Sequence, residues 1–278
     1  MNSLSGSYPG RAPWSVDEIC FQDLVRDEVR EDRQLFYVLT AASFVEITSD
    51  LFTDNLVEFY RGDNEVTAWL SQQWESEELR HGAVLKRYVE TAWPEFDWNA
   101  GYRGFFAEYA RCCAVDLLAA TPALELVARC VVETGTATFY RAVSEATAEP
   151  VLKQIASNIS IDEVRHYKHF YHFFLRYQDR GWTSRFAILR TLWRRAIEVD
   201  TEDAFLAFKH VFLVSNPRTE FHLSDYRAFR AGVRRLARGH YPLEMAVRMM
   251  LQPLRLSPPV IRAVVPSVVS VARFLFLR

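Results

Sequence analysis

The stretch WESEELRHG (residues 74–82) is the strongest fold signal in this sequence, because two adjacent glutamates stand three and four residues ahead of a histidine. A second stretch, IDEVRHYKH (residues 161–169), carries the same pattern. Their centres, EELRH and DEVRH, share an acidic residue, a glutamate, an arginine and a histidine in the same order. This repetition predicts two helices that present matching side chains to one site.

Each stretch contains a Glu-x-x-His motif. Residues three apart in a helix are neighbours, so Glu78 lies beside His81 and Glu163 beside His166. Two such motifs on separate helices, with one glutamate from each of two further helices, form the dinuclear metal sites of four-helix bundles. Carboxylate and imidazole ligands without thiolates favour iron or manganese over zinc.

Four long segments have helical periodicity, and turn or capping residues mark their ends. Their predicted bounds are about 32–60, 63–93, 121–147 and 149–181. A long crossover joins the second to the third, with a helix predicted in GFFAEYARCCAVDLLAA (residues 104–120).

This connectivity predicts an all-α protein built on a ferritin-like four-helix bundle, two helical hairpins joined by a long crossover. The bundle occupies residues 32–180 and follows an N-terminal segment, residues 1–31. Residues 181–278 are predicted to form a basic helical C-terminal extension packed on the bundle.

Hairpin geometry selects the two remaining glutamates. Residues equidistant from a turn lie at the same height in an antiparallel pair, and Glu46 and Glu78 are each 16 residues from Gly62. In the second hairpin, Glu133 and Glu163 are each 15 residues from Ala148. At the rise per residue of an α-helix, each of the four glutamates lies about 23 Å along its helix from the nearer of these two turns. Both selected glutamates stand among apolar and small residues, where an unpaired carboxylate is costly.

The acidic residue before each motif glutamate has a predicted role. A metal-bound histidine usually donates its second ring N–H to a carboxylate. We expect Asp162 to hold His81 and Glu77 to hold His166, each reaching across from the opposite motif. Their charges would be balanced by Arg80 and Arg165. The alternative is that these four are solvated surface charges.

The two motifs resemble the W-x-x-E-E-x-R-H-G and D-E-x-R-H signatures of the soluble acyl–acyl-carrier-protein desaturases. The resemblance covers about residues 32–180 and is most specific in the two histidine motifs. It implies a ferritin-like fold with two carboxylate-bridged iron ions, for which manganese is a substitute. The implied ligands are Glu46, Glu78, His81, Glu133, Glu163 and His166.

The resemblance also implies a reaction and partners. Thr136, three residues after the third ligand, corresponds to a threonine that lines the oxygen pocket of the family. The family uses O2 and two electrons from a ferredoxin to remove two hydrogens from an acyl chain on an acyl carrier protein. It further implies a homodimer.

The amino-acid composition limits the fold class and the cellular compartment that can be expected. The 278 residues are 50% hydrophobic with only 10 glycines, which suits a large helical core. The four cysteines form no C-x-x-C pair, so a reduced, cytoplasmic protein is expected. There is no signal-peptide pattern at the N-terminus, and the apolar C-terminal segment is interrupted by Arg262, Pro266 and Arg273. The sequence therefore predicts no transmembrane span.

The net charge of −2 hides an asymmetry between an acidic body and a basic C-terminal third. Residues 180–278 hold 17 Lys and Arg against 7 Asp and Glu. Within that third, one helical face carries Arg227, Arg230, Arg234 and Arg238. Because carrier proteins are acidic and their prosthetic arm bears a phosphate, we expect this face to dock a carrier. A solvated face or self-association with the acidic body is an equal alternative. Contact with nucleic acid or an anionic membrane is weaker.

Other functions remain open at this stage. A di-iron hydroxylase or N-oxygenase of specialised metabolism would use the same ligands, although arylamine N-oxygenases have a histidine where this chain has Ile159. A ferritin-like iron-binding protein needs no substrate channel. Electrons must come from a separate donor, because the sequence has no G-x-G-x-x-G fingerprint and no cysteine cluster.

Overall fold

A computed structural model describes residues 14–111, 118–198 and 203–276. Within these ranges the chain is all-helical and has no strand, so the predicted all-α class is confirmed. The helices are α1 (Arg26–Val29), α2 (Arg33–Glu46), α3 (Ser49–Phe59), α4 (Asn64–Trp69), α5 (Glu75–Ala92), α6 (Trp98–Tyr109), α7 (Pro122–Ala146), α8 (Pro150–Arg180), α9 (Arg185–Glu198), α10 (Asp203–Ser215), α11 (Leu223–Ala237), α12 (Leu243–Leu251) and α13 (Pro258–Phe276).

Helices α7 and α8 begin where their sequence signals predict. The Thr121 hydroxyl accepts a hydrogen bond from the Leu124 amide at 3.3 Å, and Pro122 occupies the first turn of α7. The buried Glu149 carboxylate caps α8 by accepting from two amides of its first turn. These two helices pack along each other as an antiparallel hairpin joined by a three-residue turn.

The prediction of one helix over residues 32–60 is wrong. The chain breaks between α2 and α3, which are bent by about 40°. At the break, the Thr48 hydroxyl donates to the Phe44 carbonyl at 2.7 Å, and the Ser49 hydroxyl donates to the Glu46 carbonyl at 2.6 Å. Hydroxyl side chains of this kind compete for helical carbonyls and favour a bend.

A close approach between helices accompanies this break. Gly82 of α5 lies directly against the backbone of Ile47, and a Cβ atom on Gly82 would overlap the nitrogen and Cα of Ile47. Only glycine permits this contact. The contact sets α2 against α5 next to His81, with Glu46 at the last residue of α2.

The second predicted helix, 63–93, has the expected extent with one irregularity. A π-helical segment, Leu70–Trp74, joins α4 to α5. The predicted crossover helix is displaced toward the N-terminus, because α6 begins at Trp98 with Asp97 as its cap. Residues 112–117, which include part of the predicted helix, lie outside the described residues.

Helices α2, α5, α7 and α8 surround the site, and the segments at both ends of the chain pack on them. Trp14, Ile19 and Val29 of the N-terminal segment are buried in the same core cluster as α2 and α5. In the C-terminal extension, α10 packs on α2 and α6, whereas α9 and α12 pack on α7.

Length and apolar composition decide whether a helix can cross a bilayer, and the described helices can be compared on both. None of them is by itself long and apolar enough to cross a bilayer. The bent pair α2 and α3 passes this test together on length and composition.

Candidate metal centre

Six buried side chains from four helices meet in the middle of the bundle. Each is at most 7% exposed. Their ligand atoms form two overlapping groups in which all atoms lie within 4.8 Å of one another. The six are Glu46 from α2, Glu78 and His81 from α5, Glu133 from α7, and Glu163 and His166 from α8. The structure therefore brings together every residue that the sequence proposed as a ligand.

The first group, here called the His81 half-site, consists of Glu46, Glu78, His81 and Glu163. Nδ1 of His81 lies 3.2 Å from Oε1 of Glu163 and 3.5 Å from Oε2 of Glu78. Glu46 accepts a hydrogen bond at Oε1 from the Tyr140 hydroxyl, at 2.6 Å.

The second group, here called the His166 half-site, consists of Glu78, Glu133, Glu163 and His166. Nδ1 of His166 lies 3.0 Å from Oε1 of Glu78, 3.5 Å from Oε2 of Glu133 and 3.6 Å from Oε2 of Glu163. Glu78 and Glu163 thus direct one carboxylate oxygen toward each histidine. The two half-sites therefore share these two carboxylates.

The outer ring nitrogens of both histidines contact carboxylates of the opposite helix. Nε2 of His81 lies 3.1 Å from Oδ2 of Asp162, and Nε2 of His166 lies 2.7 Å from Oε2 of Glu77. These are the cross-pairings expected from the doubled acids. They assign the Nε2 protons to hydrogen bonds and direct both Nδ1 atoms toward the cluster.

Two arginines follow the same crossed pattern. Arg80 donates to Asp162 at 2.9 Å and Arg165 donates to Glu77 at 2.6 Å. Arg165 also lies 3.0 Å from Asp162 and therefore connects the two outer carboxylates. Asp162 and Glu77 are 2% and 5% exposed, so they are not the solvated surface charges of the alternative interpretation.

Thr136 occupies the position next to the shared glutamates. Its hydroxyl donates to Oε2 of Glu163 at 2.9 Å, and it is also within reach of the carbonyls of Val132 and Glu133. The structure therefore places the Thr136 hydroxyl in direct contact with a glutamate of the cluster.

Sequence reasoning missed Trp14. Its indole N–H donates to Oδ2 of Asp162 at 2.8 Å, and its ring stacks on His81 at a centroid distance of 6.2 Å. The Arg80 guanidinium lies 4.8 Å from the same ring. Nothing in the local sequence connects this residue with the motifs, which lie far along the chain.

Tyr140 was within reach of sequence reasoning, because it lies seven residues after Glu133, two turns along the same face of α7. Two further aromatic residues pack edge-to-face with His166: Trp69 at 6.3 Å and Trp74 at 6.4 Å between centroids. Trp69 also stacks on His169 at 4.9 Å. Burial, with the nearby charges of His166 and Arg165, lowers the pKa of His169 to about 4, so this ring is neutral.

The electrostatics of the cluster separate the terminal carboxylates from the shared ones. Burial, and then the neighbouring carboxylates, raise the pKa of Glu46 and of Glu133 well above the ordinary value. Burial acts in the same direction on Glu163, but the close approach of both histidine rings holds the pKa of Glu163 well below the ordinary value. In the absence of an ion, positive charge on the imidazoles stabilises the shared carboxylates.

The orphaned atoms of the cluster fit a bound cation. Within the described part of the chain, Nδ1 of His81, Nδ1 of His166, Oε2 of Glu133 and Oε1 of Glu163 are buried without a hydrogen-bond partner. Buried polar atoms without partners are costly. Here they belong to ligand-type groups that converge on one another, so the cluster can hold a metal ion.

The arginines proposed for carrier docking lie elsewhere, on and just beyond α11. Arg227, Arg234 and Arg238 are exposed, and Arg230 is half-buried with its guanidinium 6.0 Å from the Tyr226 ring. The inner face of α11, with Tyr226 and Phe229, packs against Phe208. The structure thus places the four arginines outside the metal centre.

Comparison of the chain with protein-family models finds no match, and comparison with curated proteins finds none. The desaturase family therefore stays a prediction carried by the two histidine motifs.

Proposed function

We propose that the cluster binds two iron ions and that the protein is an O2-dependent oxidoreductase. Its proposed reaction is desaturation of an acyl chain carried on an acyl carrier protein, with electrons from a ferredoxin-type donor. The observation that supports it is the convergence of the two Glu-x-x-His motifs, with one oxygen of Glu78 and one of Glu163 directed at each histidine. The motifs that resemble the desaturase signatures are the ones that converge.

In this proposal, iron held by Glu46, Glu78, His81, Glu133, Glu163 and His166 would supply the capacity to activate O2 for attack on an unactivated C–H bond. The protein contributes ligand geometry. Asp162 and Glu77 hold the Nε2 protons of His81 and His166, so that Nδ1 of each ring offers its lone pair to the cluster. Burial would raise the pKa of Asp162, but its hydrogen bond to His81 and the charges of His81 and Arg165 hold that pKa below the ordinary value. The acceptor of the His81 N–H therefore stays ionised.

The protein also contributes a dry environment for this chemistry. The stacked Trp14 ring covers His81, whereas Trp69 and Trp74 pack around His166. All three indoles are at most 9% exposed. Exclusion of water strengthens the electrostatic interactions of the cluster and suits an apolar substrate.

The α11 arginines are the proposed docking site for the carrier. They are arranged on one helical face, and three of the four are exposed. The charge of an acidic carrier and the phosphate of its prosthetic arm complement this face.

Reconstitution tests the proposed reaction. The purified protein is loaded with ferrous iron and supplied with ferredoxin, its reductase, O2 and a panel of acyl carrier proteins, and the products are read by intact mass. Loss of two hydrogens supports desaturation. Gain of an oxygen atom would instead identify a hydroxylase or N-oxygenase of the same di-iron class. Iron uptake without turnover of any substrate would favour an iron-binding protein.

A separate measurement tests docking. Replacing Arg230 and Arg234 with Glu is expected to weaken carrier binding, whereas the charge-matched replacement of Arg103 and Arg111, two exposed arginines at α6, is expected to leave it unchanged. Equal affinities for the two variants would remove the α11 face from the proposal.

A further inference from the structure

The N-terminal segment covers one side of the metal centre. Trp14 contacts both His81 and Asp162, the histidine of the His81 half-site and its outer carboxylate. Two short 3₁₀ turns follow, Val16–Glu18 against α5 and Phe21–Asp23 against α8. Residues 14–24 are here called the strap, because they cross from one helix that carries a Glu-x-x-His motif to the other.

Few side chains of the strap are buried. Only Trp14 and Ile19 are, with 6% and 3% of their surface exposed. Val16, Phe21 and Leu24 are half-buried and pack at the edge of the same core cluster. The rest of the strap is exposed. Its attachment therefore depends mainly on two side chains.

The hydrogen bonds of the strap add little to this attachment. Those of the two turns close within the strap, as from the Ile19 amide to the Val16 carbonyl at 3.2 Å. The hydrogen bond from Trp14 to Asp162, at 2.8 Å, joins the strap to the bundle. A segment with few buried apolar contacts and local hydrogen bonds opens at a lower free energy than the core helices do.

The contact of the strap with α5 is also incomplete. An open cavity of about 450 Å³ lies between residues 17–22 and the α5 residues Arg87 and Thr91. The Arg87 guanidinium lies 4.5 Å from the Phe21 ring. Its ion pair with Asp17, at 3.5 Å, joins side chains that are 50% and 92% exposed, so it contributes little.

A metal ion needs an opening to reach the cluster. The six ligands are at most 7% exposed, and packed side chains leave no path for a hydrated cation. The other covers belong to long helices. Helices α7 and α8 pack along each other, whereas Trp69 and Trp74 lie in a helical stretch that continues into α5. Among the described covers, the strap can move with the smallest loss of buried contacts.

We propose that the strap controls the entry and exit of metal ions by opening as a local unit while the bundle stays folded. In the closed form, Trp14 donates to Asp162 and covers His81. In the open form, both groups lose this cover, and the Asp162 carboxylate is the first anionic group that a cation meets on that side. The proposal rests on the metal binding of the proposed function and not on its O2 chemistry.

Stopped-flow mixing with cobalt(II) tests this proposal on the full chain. The absorption of bound cobalt gives the rate of uptake, and mixing of the loaded protein with excess EDTA gives the rate of release. Ile19→Ala loosens the strap, and Ile19 is neither a ligand nor hydrogen-bonded to one. Because opening precedes both steps, both rates are expected to rise by the same factor, roughly tenfold or more, with an unchanged affinity.

The matched control is the same substitution in another part of the core. Ile188 of α9 is 2% exposed and belongs to a different core cluster from Ile19. Ile188→Ala is expected to lower the thermal stability as Ile19→Ala does, while leaving both cobalt rates at the wild-type values. Equal acceleration by the two variants would overturn the proposal, because general loosening of the core would then explain it.

Trp14→Phe provides a second variant that keeps an aromatic ring and removes the hydrogen bond to Asp162. It is expected to speed cobalt uptake even if the affinity falls. Unchanged uptake in both strap variants would overturn the proposal, and faster release alone would assign the strap to support of the ligands. A wild type that binds no cobalt would remove the metal centre and the strap's role together, whereas normal binding with insensitive rates would remove only the latter.

Discussion

The His81 and His166 half-sites share two glutamates but differ in what supports the rest. In the His81 half-site the terminal ligand Glu46 ends a helix at a break and receives a hydrogen bond from Tyr140. In the His166 half-site the terminal ligand Glu133 lies inside the continuous helix α7, and its Oε2 has no hydrogen-bond partner in the described chain.

The outer carboxylates differ in the same direction. Asp162 contacts four donors, namely Trp14, Arg80, His81 and Arg165. Glu77 contacts Arg165 and His166. The repeated sequence motif therefore produces a nearly symmetric set of ligand types in unequal surroundings. Among the described residues, the His81 half-site therefore has more supporting hydrogen bonds around it than the His166 half-site.

The largest expected effect is the difference in metal content between a variant of a glutamate that both half-sites share and a variant of a glutamate that belongs to only one. Glu163→Gln removes a carboxylate from both half-sites and is expected to abolish metal binding. Glu133→Gln leaves the His81 half-site complete and is expected to retain one ion. Metal-to-protein ratios by plasma mass spectrometry, after loading with ferrous iron, measure both. A Glu163→Gln protein with the wild-type metal content would show that the two half-sites do not share this ligand.

The second comparison concerns two glycines, one next to a ligand of each half-site in the sequence. Gly82→Ala drives a Cβ atom into the backbone of Ile47 and is expected to lower the free energy of unfolding by about 1–3 kcal/mol. Gly135 lies two residues after Glu133, and a Cβ atom there would meet nothing within 4 Å. Gly135→Ala is therefore expected to stabilise α7 by about 0.5–1 kcal/mol.

Chemical denaturation of the metal-free proteins measures both glycine variants. Destabilisation of equal size in the two would contradict the close approach at Ile47. Loss of metal from the His81 half-site alone in Gly82→Ala would show that the approach also positions Glu46.

The smallest expected effect concerns Tyr140. Tyr140→Phe leaves a buried oxygen of Glu46 without its donor and is expected to weaken the His81 half-site about tenfold, within the range for outer partners of metal ligands. Titration with cobalt(II), followed by its visible absorption, resolves the affinities. The affinity of the His166 half-site should change less, because Tyr140 donates to Glu46, which is not one of the four residues of that half-site.

A second buried tyrosine provides the control for this substitution. Tyr88 donates to Glu149 at 2.9 Å, in a cap of α8 rather than in the cluster. Tyr88→Phe should lower stability by about 1 kcal/mol without changing cobalt affinity. Equal cobalt affinities for the wild type and Tyr140→Phe would show that this hydrogen bond does not support the ligand.

Much of the cluster could be predicted from the sequence because its determinants are local. A Glu-x-x-His motif aligns its two side chains through helical geometry alone, and the acid before each glutamate projects toward the neighbouring helix. Thr121-Pro122 and Glu149-Pro150 mark the starts of α7 and α8 by capping. These signals do not depend on contacts with distant segments.

The parts that could not be predicted depend on tertiary contacts. Apolar periodicity continues across Ile47 and Thr48, so the apolar pattern alone does not mark the break. The hydroxyls of Thr48 and Ser49 favour a bend there, and the close approach of Gly82 accommodates it. The contact of Trp14 with Asp162 joins residues 148 positions apart. The displacement of α6 is different, since Asp97 is a recognisable helix cap that the prediction overlooked.

The position of Arg165 has a consequence for metal binding by the two half-sites. The Arg165 guanidinium contacts both Glu77 and Asp162. A shift of either carboxylate toward its histidine therefore changes the interaction of Arg165 with the other carboxylate. The shared glutamates couple the half-sites from the inside, and Arg165 couples them from the outside. For the two-ion occupancy proposed above, we therefore expect the affinity for a second ion to depend on the first. A binding isotherm for two independent and identical sites should not describe it.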